Sequence, residues 1–168
     1  SASTDSSKAN IVTLLSSGST FISSSVEIQK GKFNHIASVY DRGISGKVST
    51  YVDGEIKNTS NAGIFGAFGI DAAPLTIASG SKHSFAGIYE FLASEQLSGS
   101  IDELRVFESK RSQSQIKSFA NKNVFPPSDN SLKLYYKFNE PQGSFGSSAN
   151  NSLILDYSGY GLHSSVIM

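Results

Sequence analysis

The fold is decided by the stretch VSTYVDGEI, residues 48–56. Its first five residues alternate strictly between two faces, which predicts a β-strand because successive side chains of a strand point to opposite sides of its sheet. The pair Asp53-Gly54 follows directly, and a type I′ turn needs a positive φ at both central residues, which this pair tolerates well. A second strand resumes at Glu55. The stretch therefore predicts an antiparallel β-hairpin.

Outward from this hairpin, the same β pattern covers most of the chain. β-Branched and aromatic residues cluster in short runs that are bounded by Gly, Ser, Asn and Pro, as in an all-β protein. Strands are predicted at residues 10–15, 20–28, 33–40, 48–52, 75–78, 85–92, 100–107, 132–138 and 153–155. One short helix is predicted near residues 111–121, where Ser112 can cap it and Ile116, Phe119 and Ala120 form an apolar stripe. We expect an antiparallel β-sandwich of the jelly-roll type with this single helix.

Composition narrows the classes of partner. Fourteen basic residues balance fourteen acidic ones among 168, so no net field attracts nucleic acid or an anionic membrane. No apolar run approaches the roughly 20 residues that a membrane-spanning helix needs. Cysteine is absent, which excludes disulfides and thiolate metal sites. We therefore expect neither a nucleic-acid partner nor membrane insertion.

Three motifs resemble the laminin-G-like, concanavalin A-like jelly-roll family. They are GKFNHIASVYD at residues 31–41, VSTYVDG at 48–54 and GSIDELRVF at 99–107. The family has strands of the same kind in this order, followed by a helix, although it usually places Trp where this chain has Phe33. The resemblance covers residues 31–120 and implies a non-catalytic binding domain on a β-sandwich.

Two further motifs resemble this family but occur in an unexpected order along the chain. LYYKFNE at residues 134–140 and DYSGYGLH at 156–163 look like the family's opening strand and the loop after it, yet here they come last. One explanation is a fragment of a tandem array, with a module at 1–124, a Pro-rich linker at 125–130, and the start of the next module at 131–168. The other is a permuted domain in which strand 132–138 completes the first sandwich. We favour the fragment.

An enzyme has little support in the sequence. The three histidines lie in unrelated segments, and no Gly-x-Ser-x-Gly elbow occurs. Glycosidases need two carboxylates that flank the scissile bond at about 5–10 Å. Asp102 and Glu103 are adjacent, so on a strand they face opposite sides of the sheet. We predict that the chain is not an enzyme.

Calcium is the cofactor that the resemblance implies, since members of this superfamily often hold a structural calcium ion. This ion takes six to eight oxygen ligands, typically from loops. The candidate ligands are Asp102, Glu140 and Asp156. The competing interpretation, which we rank first, is a local ion pair in residues 102–105 and an Asx-turn at Asp156.

Glycan recognition is the most concrete binding hypothesis. Sugar sites combine an aromatic platform with a few convergent polar groups. One candidate platform is the glycine-rich loop with Asn61, Phe65, Phe68 and Asp71, and another comprises Tyr157 and Tyr160. In each case an aromatic side chain that merely anchors its loop is the competing interpretation.

The expected role is therefore that of a binding or adhesion module in a larger protein, at an extracellular, cell-surface or virion-surface location. The expected partner is a glycan or a protein. The alternative is a purely structural spacer or decoration unit of a fibre, filament or capsid, whose partners are neighbouring modules or copies of itself. Binding that persists in a monomer separates the first role from the second.

Overall fold

In the part of the chain that the structure describes, there are antiparallel sheets and one short helix, which confirms the predicted fold class. The structure, a computed structural model, describes residues 5–17, 20–43, 46–61, 83–85, 89–91, 99–120, 122, 129–140 and 153–165. The elements are β1 (Lys8–Ser17), β2 (Thr20–Gln29), β3 (Ile36–Asp41), β4 (Lys47–Val52), β5 (Glu55–Asn61), β6 (His83–Phe85), β7 (Tyr89–Phe91), β8 (Leu104–Phe107), α1 (Gln113–Phe119), β9 (Leu132–Tyr136), β10 (Leu153–Ile154) and β11 (Ser164–Ser165). Among the described residues, no helix has the length and apolar character needed to cross a membrane.

The chain divides into two compact units. The first comprises residues 1–95 with 110–122, and the second comprises residues 96–109 with 123–168. In the second unit, β8 pairs antiparallel with β9, so segments from both sides of the predicted linker at 125–130 share one sheet. The module boundaries at 124 and 131, and the choice between tandem fragment and permuted domain, stay predictions.

In the first unit, β4 lies at the centre of the sheet β3-β4-β5 and is the best covered strand. On one face Thr50 donates a hydrogen bond to the Ser24 hydroxyl of β2 at 2.8 Å, and Val48 packs with Ile22. The β1-β2 hairpin runs in register from Lys8–Gln29 to Ser17–Thr20, as its β-branched pattern predicted. The other face of β4 carries the alternate residues 47, 49 and 51.

The turn between β4 and β5 has the predicted conformation. Asp53 has φ 53° and Gly54 has φ 79°, both positive as a type I′ turn requires. A Cβ atom at Gly54 would come within 3.0 Å of the Lys117 backbone, so α1 packs directly on this turn. The helix starts at the predicted cap, where Ser112 and Gln115 form a capping box. Ile116 is the buried residue of its predicted stripe, whereas Phe119 is exposed.

In the second unit, Leu132 and Tyr135 form the buried core with Phe107 and Tyr157 against them. A polar network borders this core. Glu103 accepts hydrogen bonds from Arg105 and from the Tyr135 hydroxyl. Burial raises the pKa of the Tyr135 phenol, and its hydrogen bond to Glu103 raises it further. The predicted ion pair within residues 102–105 is confirmed as Arg105–Glu103.

Several predicted strands differ from those observed. The strand predicted at 132–138 ends at Tyr136, and the one predicted at 75–78 lies outside the described residues. β3 begins at Ile36 rather than at residue 33, because the Asn34 amide donates to the carbonyl oxygens of Gln29 and Lys32 and holds a turn there. β8 begins at Leu104 rather than at residue 100, and Glu103 before it has φ 55°, which no regular strand accommodates. The single strand predicted at 85–92 is two short antiparallel strands, β6 and β7.

Candidate functional site

A loop in the second unit, residues 156–163, carries three of the six predicted site residues that the structure describes, and we call it the Asp156 loop. Asp156 is 7% exposed, and its carboxylate accepts four hydrogen bonds from the protein. Oδ1 accepts from the backbone N–H groups of Tyr135 at 3.0 Å and Ser158 at 2.9 Å. Oδ2 accepts from the Ser158 hydroxyl at 2.7 Å and from the Leu162 N–H at 3.0 Å. One carboxylate thus fixes both halves of the loop to β9.

Further hydrogen bonds complete the frame of the Asp156 loop. The Tyr157 N–H donates to the Tyr135 carbonyl at 2.8 Å, and the Tyr136 hydroxyl donates to the Leu162 carbonyl at 2.6 Å. The Asp156 N–H donates to His163 Nδ1 at 3.0 Å. Because these bonds involve mainly backbone groups, the path of the loop is set before any ligand arrives.

The acidity of Asp156 reflects this environment. Burial raises the pKa of a carboxyl group because it disfavours the charged form. The hydrogen bonds from Ser158, Leu162 and Tyr135 stabilise the carboxylate and outweigh burial, so the pKa of Asp156 lies below its ordinary value of 3.8. Asp156 is therefore an ionised, buried organiser of the loop, and its i to i+2 bond to the Ser158 N–H is the predicted Asx-turn.

The two tyrosines of the loop occupy different environments. Tyr160 is 54% exposed, and Lys133 donates to its hydroxyl at 2.8 Å with Nζ 4.7 Å from the ring centroid. Tyr157 is half-buried and packs edge-on against Tyr135 at 6.3 Å, with Lys137 Nζ 4.5 Å from its ring. Tyr160 is therefore available as a platform, whereas Tyr157 anchors the loop to the core.

A lysine and a glutamate complete the polar surroundings of Tyr160. Lys133 Nζ lies 2.8 Å from the Glu108 carboxylate, so this cation is balanced by a neighbouring strand-end residue. Sequence reasoning did not assign either residue to the site. The alternation of residues 132–138 did place Lys133, Tyr135 and Lys137 on one face, and that face is the one that meets the tyrosines of the loop.

The three predicted calcium ligands do not assemble into one cluster. Asp102 is exposed, and Glu140 accepts a hydrogen bond from the Leu155 N–H at 2.9 Å. Each oxygen of Asp156 already accepts two protein hydrogen bonds, which leaves little lone-pair capacity for a cation. Within the described ranges, no group of three or more His, Asp or Glu residues is arranged to hold a metal ion. Calcium binding stays a prediction.

The other predicted platform is largely beyond the described part of the chain. Phe65, Phe68 and Asp71 lie outside the described residues. Asn61 is exposed at the end of β5, opposite Lys47 of β4. This platform also stays a prediction.

Comparison with known proteins adds one finding. A laminin-G family model, described as the concanavalin A-like lectin/glucanases superfamily, matches residues 3–117, which is more than half of the chain. No curated protein and no solved structure matches significantly. The Asp156 loop follows the matched range in sequence.

Proposed function

Because the chain belongs to the concanavalin A-like lectin/glucanases superfamily, we propose that it is a non-catalytic binding module that recognises a glycan through Tyr160. The family membership, with the antiparallel sheets and the short helix of the described residues, establishes a concanavalin A-like β-sandwich fold. A binding module is the general role of this fold. The glycan, the site and the setting are our proposal.

The exposed ring of Tyr160 on a pre-fixed loop is the observation that carries the proposal. A tyrosine presents a large, rigid apolar face with a polar end, which suits the apolar face and hydroxyl edge of a sugar ring. The Asp156 loop is ordered by its own hydrogen bonds, so little conformational entropy remains to be lost on binding. Lys133 and Glu108 supply a donor and an acceptor beside the ring.

The balance of charge at Tyr160 favours a neutral sugar. Lys133 and Glu108 form an ion pair, so the cation that contacts the Tyr160 ring is balanced by a carboxylate. The hydroxyl groups of a glycan can accept a hydrogen bond from Lys133 and donate one to Glu108. The platform is thus suited to an uncharged saccharide face.

Several contacts support a role without catalysis. Glu103 is paired with Arg105 and accepts a hydrogen bond from the Tyr135 hydroxyl. Asp156 is committed to the loop backbone. A glycosidase needs one carboxyl group kept protonated and another kept available to water or substrate. Neither carboxylate has such surroundings.

We place the module outside the cytoplasm, on a cell or virion surface and within a larger protein, as the family resemblance implies. The competing role is a structural spacer or decoration unit. Self-association of the purified chain without retention of any ligand would favour that second role.

A glycan array with three proteins tests the proposal. The native chain and Tyr160→Ala are compared with Phe33→Ala, a matched control because Phe33 is another exposed aromatic residue, at 74%, in the first unit. We expect Tyr160→Ala to weaken retention on every bound glycan about tenfold, or about 1.4 kcal/mol, while Phe33→Ala retains native binding. Equal retention by all three proteins would exclude Tyr160 as the platform.

A further inference from the structure

A cavity in the first unit lies on the face of the sheet that β2 does not cover. Its strand residues alternate along β3 and β4, namely Val39, Asp41, Lys47, Ser49 and Tyr51, so that they share one side of the sheet. The remaining lining comes from Lys110, Arg111 and Ser112, which lead into α1, and from Gln115 of α1 itself. The volume is about 280 Å³. Cavities for drug-sized ligands begin at about 300 Å³, so this one is suited to a single small group.

The charge of the lining is strongly one-sided. Lys47, Lys110 and Arg111 supply three cations against the one carboxylate of Asp41, whereas the chain as a whole is neutral. Asp41 is already occupied, since it accepts from Lys110 Nζ at 2.9 Å and from the Gly43 N–H at 3.1 Å. These bonds and the charge of Lys47 lower the pKa of Asp41, so its carboxylate stays paired at neutral pH.

Two lining groups have donors left for a ligand. Lys47 makes no ion pair with any described residue, and the carboxylate of Asp41 opposite it on β3 is taken up by Lys110. Tyr51 is 8% exposed, yet no hydrogen bond joins its hydroxyl to the described part of the chain. The hydroxyl of Tyr51, a residue that lines the cavity, can therefore donate a hydrogen bond to an acceptor bound there.

We propose that this cavity binds a small oxyanion, the carboxylate, sulfate or phosphate group of an acidic ligand. Lys47 and Arg111 supply the charge, and the Tyr51 hydroxyl donates a hydrogen bond. Charge-assisted hydrogen bonds to an oxyanion are stronger than neutral ones, and a partly enclosed site screens them less than open solvent does. The site is independent of the Tyr160 platform, because its residues belong to the first unit and Tyr160 belongs to the second.

Titration of the isotopically labelled chain, followed by amide chemical shifts at constant ionic strength, tests this site. The probes are sodium sulfate, sodium phosphate and sodium glucuronate, with glucose as the uncharged match to glucuronate. We expect saturable shifts at residues 39–51 and 110–115 with oxyanions and none with glucose. The anion that binds most tightly identifies the source of the group. Shifts with glucose equal to those with glucuronate would overturn the proposal, as would the lack of saturable shifts with all three anions.

Substitutions separate a built site from general screening of charge. Lys47→Gln should weaken oxyanion binding about two- to fivefold, the range of a partly exposed ion pair. Lys57→Gln is the matched control, since Lys57 is an exposed lysine on β5 that does not line the cavity. Tyr51→Phe should weaken binding without changing the charge. If this substitution alters the fold, the comparison of Lys47→Gln with Lys57→Gln still tests the site. Equal weakening by both lysine variants would contradict a site.

Discussion

Replacing Asp156 with alanine removes the acceptor that four protein donors share. Two of these donors, the N–H groups of Tyr135 and Ser158, are buried, and each costs about 1–3 kcal/mol when it is left unsatisfied. The Ser158 hydroxyl can donate to the Lys133 carbonyl oxygen instead, and the Leu162 N–H, whose bond is only part-buried, can turn to water when the loop relaxes. We therefore expect the free energy of unfolding to fall by about 3–4 kcal/mol.

Asparagine at the same position separates charge from shape. The amide keeps one acceptor oxygen for one pair of donors and presents an NH₂ group to the other pair. Asp156→Asn should therefore cost about 2 kcal/mol, less than alanine. The matched control is Asp102→Asn, because Asp102 is an exposed aspartate of the same unit and its loss should change stability by less than about 0.5 kcal/mol.

Urea unfolding followed by circular dichroism measures these differences. The pH dependence adds an independent readout. Since the folded-state pKa of Asp156 is depressed, its contribution is complete above the ordinary value of 3.8 and is lost as the pH falls through the lower folded value. The acid loss of stability should therefore be smaller in Asp156→Asn than in the native chain. A cost below 1 kcal/mol for Asp156→Ala, or equal costs for Asp156→Asn and Asp102→Asn, would refute this account of the loop.

Two further predictions concern the units themselves. Gly54→Ala should lower stability by about 1–3 kcal/mol, because Gly54 has φ 79° and an added Cβ would meet Lys117 at 3.0 Å. The control Gly99→Ala, where a Cβ meets nothing within 4 Å, should change the melting temperature little, and equal shifts for the two variants would contradict the packing of α1 on the turn. A chain cut to residues 1–124 loses β9, so the amides of β8 should lose hydrogen-exchange protection while those of β4 keep it. Native protection of β8 in the shortened chain would show that β9 is not its required partner.

Locally encoded features were predictable from the sequence. The turn at Asp53-Gly54 and the cap at Ser112 depend on the conformations and hydrogen bonds of neighbouring residues, and both are confirmed. The ion pair of Glu103 with Arg105 was likewise predictable, because its partners are two residues apart in the sequence.

Features that depend on distant partners were not predictable in this way. Apolar alternation favoured a strand from residue 33, but hydrogen bonds from Asn34 to the end of β2 hold a turn there and leave Phe33 exposed. The pairing of β8 with β9 joins segments some 30 residues apart, and no local pattern specifies it. Tyr157 packs against the core, whereas Tyr160 is exposed to solvent. This difference likewise depends on the conformation of the Asp156 loop.

The most direct test of the binding proposal is to map a glycan retained by the array onto the chain by amide and tyrosine-ring chemical shifts. We predict that saturating glycan perturbs the Tyr160 ring, the amides of residues 156–163 and the amide of Lys133. An uncharged glycan should leave the cavity lined by Lys47, Tyr51 and Arg111 unperturbed. Perturbations that leave Tyr160 and residues 156–163 unchanged would contradict the claim that this loop is the recognition site.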